Sequence, residues 1–194
     1  MRALLWRLLW TPMFLIWSPG LRVYGEIPSY PVVFAANHSS HADTAAIQLA
    51  LSRAGHTRVL AAGAEDYFFR NGIIAALARL IGVFPFPRSG GAGIERARRT
   101  LRNGVSVLLY PQGTRDGGPF RRGVAYLADT AVVVPVTVTG TDLLLPKGRR
   151  LPRRSKVTLH FGVPLRRRST ETPDQFAHRL EQAVRAHIGI RPAA

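Results

Sequence analysis

Short apolar runs alternate with helical segments along this chain, and that alternation limits the folds it can adopt. Residues 32–36 (VVFAA) are apolar throughout, which is typical of a strand buried on both faces of a sheet. Residues 105–109 form a second such run and residues 132–139 a long β-branched one. Helices are predicted between these runs at residues 44–54, 67–81 and 92–102. The alternation predicts an α/β fold: a single layered domain with a largely parallel central sheet flanked by helices.

The remaining segments fit the same domain, which we predict to cover residues 21–194. Further strands are predicted at residues 21–25, 58–62, 82–86 and 156–161. Asn71-Gly72 is predicted to break the 67–81 helix near its start, and a short helix is predicted near residues 124–129. An amphipathic helix at residues 173–188 closes the chain.

The first 20 residues are predicted to form a separate amphipathic helix that interacts with a membrane. All three tryptophans of the chain lie there: Trp6, Trp10 and Trp17. A helix would place them within roughly 40° of one another, and tryptophan favours the headgroup level of a bilayer. Arg7 and Pro12 interrupt the segment, which argues against a membrane span and against a signal peptide. A helix packed on the domain remains the main alternative.

The charge of the chain predicts an anionic partner. Lys and Arg number 27 against 11 Asp and Glu, a formal net charge of +16, and nearly all the cations are arginine. The absence of cysteine excludes disulfides, a cysteine nucleophile and thiolate metal sites. No helix-turn-helix, zinc-finger or RRM signature supports a nucleic-acid partner. The strongly basic tract at residues 147–156 is interpreted as a solvated loop between strands.

The loop after the first buried strand carries a candidate acid–base pair. His38 follows Asn37, and Asp43 comes five positions after His38, where a helix N-cap would lie. A carboxylate folded back onto the imidazole would fix its tautomer and make the opposite nitrogen a better base. The spacing of His38, His41 and Asp43 matches no metal motif, so no metal is predicted. Because there is no G-x-S-x-G elbow, the attacking hydroxyl is expected to belong to a substrate.

A second polar loop follows the 105–109 strand and could bind an anion. Gly113 would let backbone N–H groups approach the anion, Thr114 adds a hydroxyl donor, and Arg115 adds a guanidinium fork. Arg88 lies just after the 82–86 strand. Carboxyl ends of strands in open α/β sheets are where ligands gather, so these loops are the candidate site.

Four ordered blocks of residues resemble those of the glycerolipid acyltransferase family. They are Asn37-His38-x4-Asp43, Gly82-Val83-Phe84 leading to Arg88, Pro111-x-Gly113-Thr114-Arg115, and Val134-Pro135-Val136. Their order and spacing are similar to those of 1-acylglycerol-3-phosphate acyltransferases of the PlsC type. The resemblance runs from about residue 23 to residue 164.

The resemblance implies a reaction and a set of residue roles. His38 would be the general base for the acceptor hydroxyl and Asp43 would orient it, so that the hydroxyl attacks the thioester of acyl-CoA or acyl-carrier protein directly. The acceptor would be a lysophospholipid, first of all 1-acyl-sn-glycerol 3-phosphate, and no cofactor would be needed beyond the thioester co-substrate. The acceptor phosphate would be held by Arg88, Gly113, Thr114 and Arg115, with Asn37, Gln112 and Pro135 in supporting positions.

The chain also departs from the family pattern. Gln112 stands where glutamate is usual, Asp116 where serine is common, and Pro87 precedes Arg88 where a polar residue is usual. These changes leave the base untouched but bear on the acceptor, so another lysolipid is the first alternative. A catalytically silent lipid- or carrier-binding protein of the same fold is the second, and a nucleic-acid-binding protein the third. The resemblance and the charge together predict a peripheral or monotopic protein on the cytoplasmic face of the cell membrane, in contact with anionic lipid.

Overall fold

A mixed sheet of seven strands runs through the part of the chain that the structure describes. The computed structural model describes residues 12, 16–18, 20–28, 31–87, 91–115, 117–149 and 151–188. The strands are β1 (Arg22–Tyr24), β2 (Val32–Ala36), β3 (Val59–Ala64), β4 (Val83–Phe86), β5 (Ser106–Leu109), β6 (Val132–Thr139) and β7 (Thr158–Phe161). Their order in the sheet is β1-β7-β6-β2-β5-β3-β4.

Seven α-helices are described beside the sheet. They are α1 (Ala42–Arg53), α2 (Glu65–Phe68), α3 (Gly72–Leu80), α4 (Ala92–Arg102), α5 (Ala125–Ala128), α6 (Thr141–Leu144) and α7 (Pro173–Arg185). A 3₁₀ turn (Arg122–Val124) leads into α5. The predicted break at Asn71-Gly72 is confirmed, because the Asn71 side chain accepts from the N–H groups of Ile73 and Ile74 and so begins α3 as a separate helix.

The predicted α/β class with a largely parallel sheet is confirmed. β2 lies between β5 and β6 and is parallel to both, so that Ala35 pairs with Leu109 on one side and Pro135 on the other. β3 continues the parallel arrangement to β4. β7 is antiparallel to β6, and β1 is parallel to β7. The carboxyl ends of β2 to β6 therefore share one edge of the sheet.

The central strand β2 separates two hydrophobic clusters, as its uniform apolar sequence predicts. Phe34 points into the cluster formed with α1, while Val33 and Ala35 point into the cluster on the opposite face with α4, α5 and α7. All five residues of β2 are buried. This double-sided burial fixes β2 in the middle of the sheet and presents the loop after it at the shared edge.

The predicted N-terminal helix lies almost entirely outside the described residues. Within the ranges described, none of the helices has the length and apolar character needed to cross a bilayer. The end of that segment does touch the domain, because the Trp17 carbonyl accepts from the Ser155 N–H at 2.9 Å. The Ser18 hydroxyl accepts from the Val157 N–H at 3.2 Å.

Candidate active site

The predicted pairing of His38 with Asp43 is present at the carboxyl end of β2. The Nδ1 atom of His38 lies 2.8 Å from Oδ2 of Asp43, whose side chain is fully buried, whereas the imidazole is 18% exposed. The interpretation of Asp43 as an N-cap is wrong, since α1 begins one residue earlier and His41 occupies the N-cap position. Asp43 instead lies in the first turn of α1 and points back toward the loop.

Asp43 is held by donors from two distant parts of the chain. Its Oδ2 accepts from the backbone N–H groups of Ser39 at 2.8 Å and Ser40 at 2.9 Å. Its Oδ1 accepts from the hydroxyl of Thr141, the first residue of α6. Thr141 is itself fully buried. These bonds fix the carboxylate, so that with Nδ1–H directed at Asp43 the imidazole keeps Nε2 as its remaining acceptor.

The aromatic ring of Tyr110 packs against the His38 imidazole. The two rings stack with centroids 4.1 Å apart and planes inclined by 21°. The Tyr110 hydroxyl lies 2.8 Å from the hydroxyl of Thr44. Burial, reinforced by the charge of Asp43, raises the pKa of the Tyr110 phenol well above its usual value, against the opposing effect of the Thr44 hydrogen bond. Tyr110 is therefore a neutral platform at physiological pH.

Gln112 connects the two loops of the site through both ends of its amide. Its Oε1 accepts from the His38 N–H at 2.7 Å, and its Nε2 donates to the Gly118 carbonyl at 3.1 Å. A carboxylate could accept the first of these bonds but could not donate the second. The amide at this position thus joins the histidine loop to the loop that follows β5.

Three of the four predicted phosphate-binding residues lie together with His38. Gly113, Thr114 and Arg115 line the same cavity as the imidazole, and Gly113 has a positive φ of +70°. The positive φ of Gly113 favours glycine at this turn, and an added Cβ would lie 3.2 Å from the guanidinium carbon of Arg121. Arg88 lies outside the described residues.

The cavity contains cations that the sequence did not single out. It has a volume of about 1310 Å³, and Arg121 and Arg122 line its polar end together with the predicted Arg115. Within the described ranges, no carboxylate forms an ion pair with these three side chains. The rest of the wall is largely apolar and includes Ala61 of β3, Val83 of β4 and Phe68 of α2. Its other charged residues are Glu95, Arg98 and Asp174. The cavity therefore combines a cationic end with an apolar end.

Asn37 and Pro135 lie beside the cavity without lining it. Asn37 donates to the Val138 carbonyl at 2.8 Å and accepts from the Val138 N–H at 2.7 Å, which clamps the end of β2 onto β6. Pro135 is inside β6, where its carbonyl accepts from the Gly162 N–H at 2.8 Å just after β7 has ended. Neither side chain is among the lining residues, so both act on the framework of the site.

His41 lies at the rim of the cavity, stacked on Tyr67 with centroids 5.8 Å apart. The pKa of His41 is lowered, first because the ring is partly desolvated and then because Arg115 and His38 lie nearby, against the opposing effect of Asp43. In the described part of the chain, no group of three or more His, Cys, Asp or Glu side chains is placed to hold a metal ion.

Comparison with known proteins adds a family and several relatives. The family model described as Acyltransferase matches residues 20–139. A chloroplastic 1-acyl-sn-glycerol-3-phosphate acyltransferase of Brassica napus is 33% identical over 128 residues, which cover 61% of this chain and 36% of that protein. The 1-acyl-sn-glycerol-3-phosphate acyltransferase of Streptococcus pneumoniae is 32% identical over 107 residues, covering 53% of this chain and 39% of that protein. The match thus spans little more than a third of the length of these curated relatives.

The fold is also shared with a solved structure. The crystal structure of PlsC, the 1-acyl-sn-glycerophosphate acyltransferase of Thermotoga maritima, superimposes with a TM-score of 0.76 at 20% sequence identity. The superposition covers 100% of this chain and 80% of that one. At this identity the likeness concerns the fold.

Proposed function

This chain belongs to the acyltransferase family, and from that premise we propose that it transfers a fatty-acyl group from an acyl thioester to the free hydroxyl of 1-acyl-sn-glycerol 3-phosphate, giving phosphatidic acid. The acceptor is the substrate in the names of its relatives from Brassica napus and Streptococcus pneumoniae. The single observation that carries the proposal is the buried Asp43 bonded to the His38 imidazole at one wall of a cavity with a cationic end and an apolar end. Such a cavity suits a lipid that ends in a phosphate.

In the proposed reaction the acceptor hydroxyl gives its proton to Nε2 of His38 while its oxygen attacks the thioester carbonyl. The new C–O bond forms as the proton leaves, and collapse of the tetrahedral intermediate breaks the C–S bond. The imidazolium then returns the proton to the leaving thiolate. Asp43 remains ionised throughout and stabilises the imidazolium by the Nδ1 hydrogen bond. No acyl-enzyme intermediate, cofactor or metal takes part in this scheme, and the thioester is acyl-CoA or acyl-carrier protein.

The acceptor phosphate is proposed to bind at the cationic end of the cavity. Arg115 can present two N–H groups to phosphate oxygens, and Thr114 and the Gly113 turn add further donors. Arg121 and Arg122 lie in the same wall and extend the clamp that the sequence predicted. Arg88 keeps its predicted phosphate-binding role as part of the proposal. The apolar wall would then receive an acyl chain.

The proposed reaction places the protein at a membrane, because its acceptor is a bilayer lipid. We assign the tryptophan-bearing segment at residues 1–20 to the bilayer interface, on the cytoplasmic face, as a peripheral or monotopic anchor. Trp17 and Ser18, at the end of that segment, bond to residues 155 and 157, which supports an anchor close to the edge of the sheet that carries His38.

Release of free thiol from acyl-CoA, with lysophosphatidic acid as acceptor, tests the reaction. We expect release that depends on the acceptor in the wild-type protein and falls by roughly 10²–10⁴ in His38→Ala. Release from carrier-protein thioesters alone would assign the other donor. Turnover of other lysolipids but not of lysophosphatidic acid would replace the acceptor. No release with any of these donors and acceptors would leave the silent lipid-binding alternative.

Substitution of Arg115 tests the proposed phosphate clamp. Arg115→Ala should raise the acceptor KM by at least roughly tenfold and leave the thioester KM nearly unchanged, since a charged hydrogen bond to phosphate contributes about 1.5–3 kcal/mol. Arg99→Ala is the matched control, because Arg99 is exposed on α4 and does not line the cavity. A rise confined to the thioester KM would put Arg115 in the donor pocket and contradict the assignment.

A further inference from the structure

The loop between α6 and β7, residues 145–157, concentrates positive charge next to the candidate site. Residues 147–156 contain six cations and no acidic residue. Five of these cations are described and all five are exposed: Lys147, Arg149, Arg153, Arg154 and Lys156. Leu151 in the same loop is 79% exposed, and Leu143 in α6 is 64% exposed. We call residues 143–156 the basic loop surface.

The basic loop surface has a defined shape, because hydrogen bonds hold it at several points. The backbone N–H of Arg153 donates to the Leu144 carbonyl at 2.7 Å, and the Ser155 hydroxyl donates to the Gly140 carbonyl at 2.9 Å. Gly140 has a φ of +84°, and a Cβ there would lie 2.0 Å from the Lys156 carbonyl oxygen. The two ends of the loop therefore meet closely, and its cations are presented on a closed turn.

The basic loop surface is also connected to the His38–Asp43 pair. It follows directly from α6, whose first residue Thr141 donates to Asp43. The Ser40 hydroxyl, in the histidine loop, donates to the Leu145 carbonyl at 2.8 Å. The surface thus lies at the shared carboxyl edge of the sheet, on the β6 side of His38.

The opposite flank of the same edge exposes large apolar side chains beside the acidic residues Glu65 and Asp66 of α2. Tyr67 in α2 lines the cavity and is 58% exposed, and Ile73 at the start of α3 is 75% exposed. The candidate site therefore opens between a flank that exposes large apolar side chains and a cationic flank that exposes leucines. Exposed leucines among arginines fit a bilayer interface, where the leucines enter the acyl boundary and the arginines meet lipid phosphates. A nucleic acid would leave these leucines without a partner.

We propose that the basic loop surface docks this protein onto anionic phospholipid bilayers. It would act beside the tryptophan-bearing segment, where Trp17 hydrogen-bonds to Ser155 of the surface and Ser18 to Val157 directly after it. Docking through this surface turns the carboxyl edge of the sheet, and with it the cavity, toward the lipid. The inference rests on the proposed function only in taking a bilayer lipid as the acceptor.

Vesicle co-sedimentation of the full chain, without donor or acceptor, tests the docking surface. The vesicles contain either phosphatidylcholine alone or phosphatidylcholine with phosphatidylglycerol. The loop variant is Arg149→Gln/Arg153→Gln/Arg154→Gln. The control variant is Arg53→Gln/Arg99→Gln/Arg102→Gln, which removes the same charge from exposed arginines at or near the last turns of α1 and α4. Both variants lower the formal net charge from +16 to +13 (16 − 3).

We expect the loop variant to partition onto the anionic vesicles roughly a hundredfold more weakly, because each basic side chain near an anionic leaflet contributes about a factor of five. The control variant should stay within about a factor of three of the wild type, since its arginines would lie beyond a Debye length of ~8–10 Å from the lipid. Equal losses in the two variants, or none in the loop variant, would overturn the proposal. The proposal would also be overturned if the wild-type protein did not bind anionic vesicles but bound an acidic carrier protein or nucleic acid.

A second measurement does not depend on charge removal. The chain has no cysteine, so Leu151→Cys can carry a single environment-sensitive fluorophore, with Arg102→Cys as the control position. Anionic vesicles should shift the emission of the probe at 151 to the blue and leave the probe at 102 unchanged. An unshifted probe at 151 on vesicle-bound protein would refute the docking surface. Because neither measurement involves turnover, a failed acyl-transfer assay with normal docking would contradict only the proposed function.

Discussion

At the scale of single residues, the Asp43 carboxylate depends on a donor that lies far away in sequence. The Thr141 hydroxyl reaches it across 98 positions and is fully buried. Without this bond the carboxylate would keep its donors from the histidine loop but could tilt away from Nδ1 of His38. Thr141 is therefore a positioning residue for the proposed base.

Thr141→Val should lower kcat roughly tenfold while the KM values stay within about twofold, since a hydrogen bond to a charged group contributes about 1.5–3 kcal/mol. Thr137→Val is the matched control, because the Thr137 hydroxyl is equally buried but donates to the Val184 carbonyl. Urea titrations should show losses of about 1–3 kcal/mol in the free energy of unfolding of both variants. Equal kcat values for the two variants would show that Thr141 has only a structural role.

Gln112 offers a second residue-scale prediction. Gln112→Glu should place a carboxylate oxygen against the Gly118 carbonyl, 3.1 Å from the present amide nitrogen, and lower the free energy of unfolding at pH 7 by about 1–3 kcal/mol. Gln175→Glu is the control, since Gln175 only accepts from the Thr172 N–H in the capping box of α7, which glutamate does equally well. Chemical denaturation of both variants measures the difference. An unchanged free energy of unfolding in Gln112→Glu would mean that the hydrogen bond to Gly118 contributes nothing to stability.

The contrast between Asp43 and Thr141 shows what residue spacing can predict. His38 and Asp43 are only five positions apart in the sequence, so their spacing was enough to predict the pairing. Thr141, Tyr110 and Arg121 join the site only after β2, β5 and β6 have become neighbours. No local pattern in the sequence predicts the contacts that these three residues make, because the contacts depend on strand order.

At the scale of secondary structure, elements with strong sequence patterns were predicted best. The strands at 32–36 and 132–139 and the helix at 92–102 have the predicted bounds. The four-residue α6 was not predicted, because a helix of one turn has no period to detect. Its place is set instead by Gly140, whose positive φ lets the chain turn away from β6 against the Lys156 carbonyl.

Gly140→Ala should therefore disturb α6 and, through Thr141, the proposed base. Gly148→Ala is a matched control, because its φ of +83° is nearly the same but no atom lies within 4 Å of the added Cβ. Both variants should lose about 1–2 kcal/mol of folding free energy from the left-handed backbone. Gly140→Ala should lose about 1–3 kcal/mol more from the clash and also lower kcat. Thermal melts and initial rates of thiol release compare them, and equal effects in the two variants would contradict the role given to Gly140.

At the scale of the whole molecule, the carboxyl edge of one sheet brings together the proposed chemistry and both proposed contacts with lipid. The largely parallel order was predicted from alternating strands and helices, and strands were predicted at both β1 and β7. The antiparallel direction of β7 and the position of β1 at the edge of the sheet were not predicted. Those two strands matter here because β7 follows the basic loop surface. β1 follows the tryptophan-bearing segment and pairs with β7, so the two segments enter the sheet side by side.

Two adjacent segments of different chemistry should respond differently to salt. In the full chain, Trp6→Ser/Trp10→Ser removes apolar anchoring, whereas Arg149→Gln/Arg153→Gln/Arg154→Gln removes charge. Raising salt from 0.1 M to 1 M shortens the Debye length from about 10 Å to about 3 Å. The tryptophan variant, left with charge-based binding, should be released from anionic vesicles by salt, and the arginine variant should bind weakly at both salt concentrations.

If the segments dock together, the variant that combines the tryptophan and arginine substitutions should lose binding by the product of the two separate losses. A combined loss no greater than that of the tryptophan variant alone would mean that the N-terminal segment is the whole anchor and that the basic loop surface faces water.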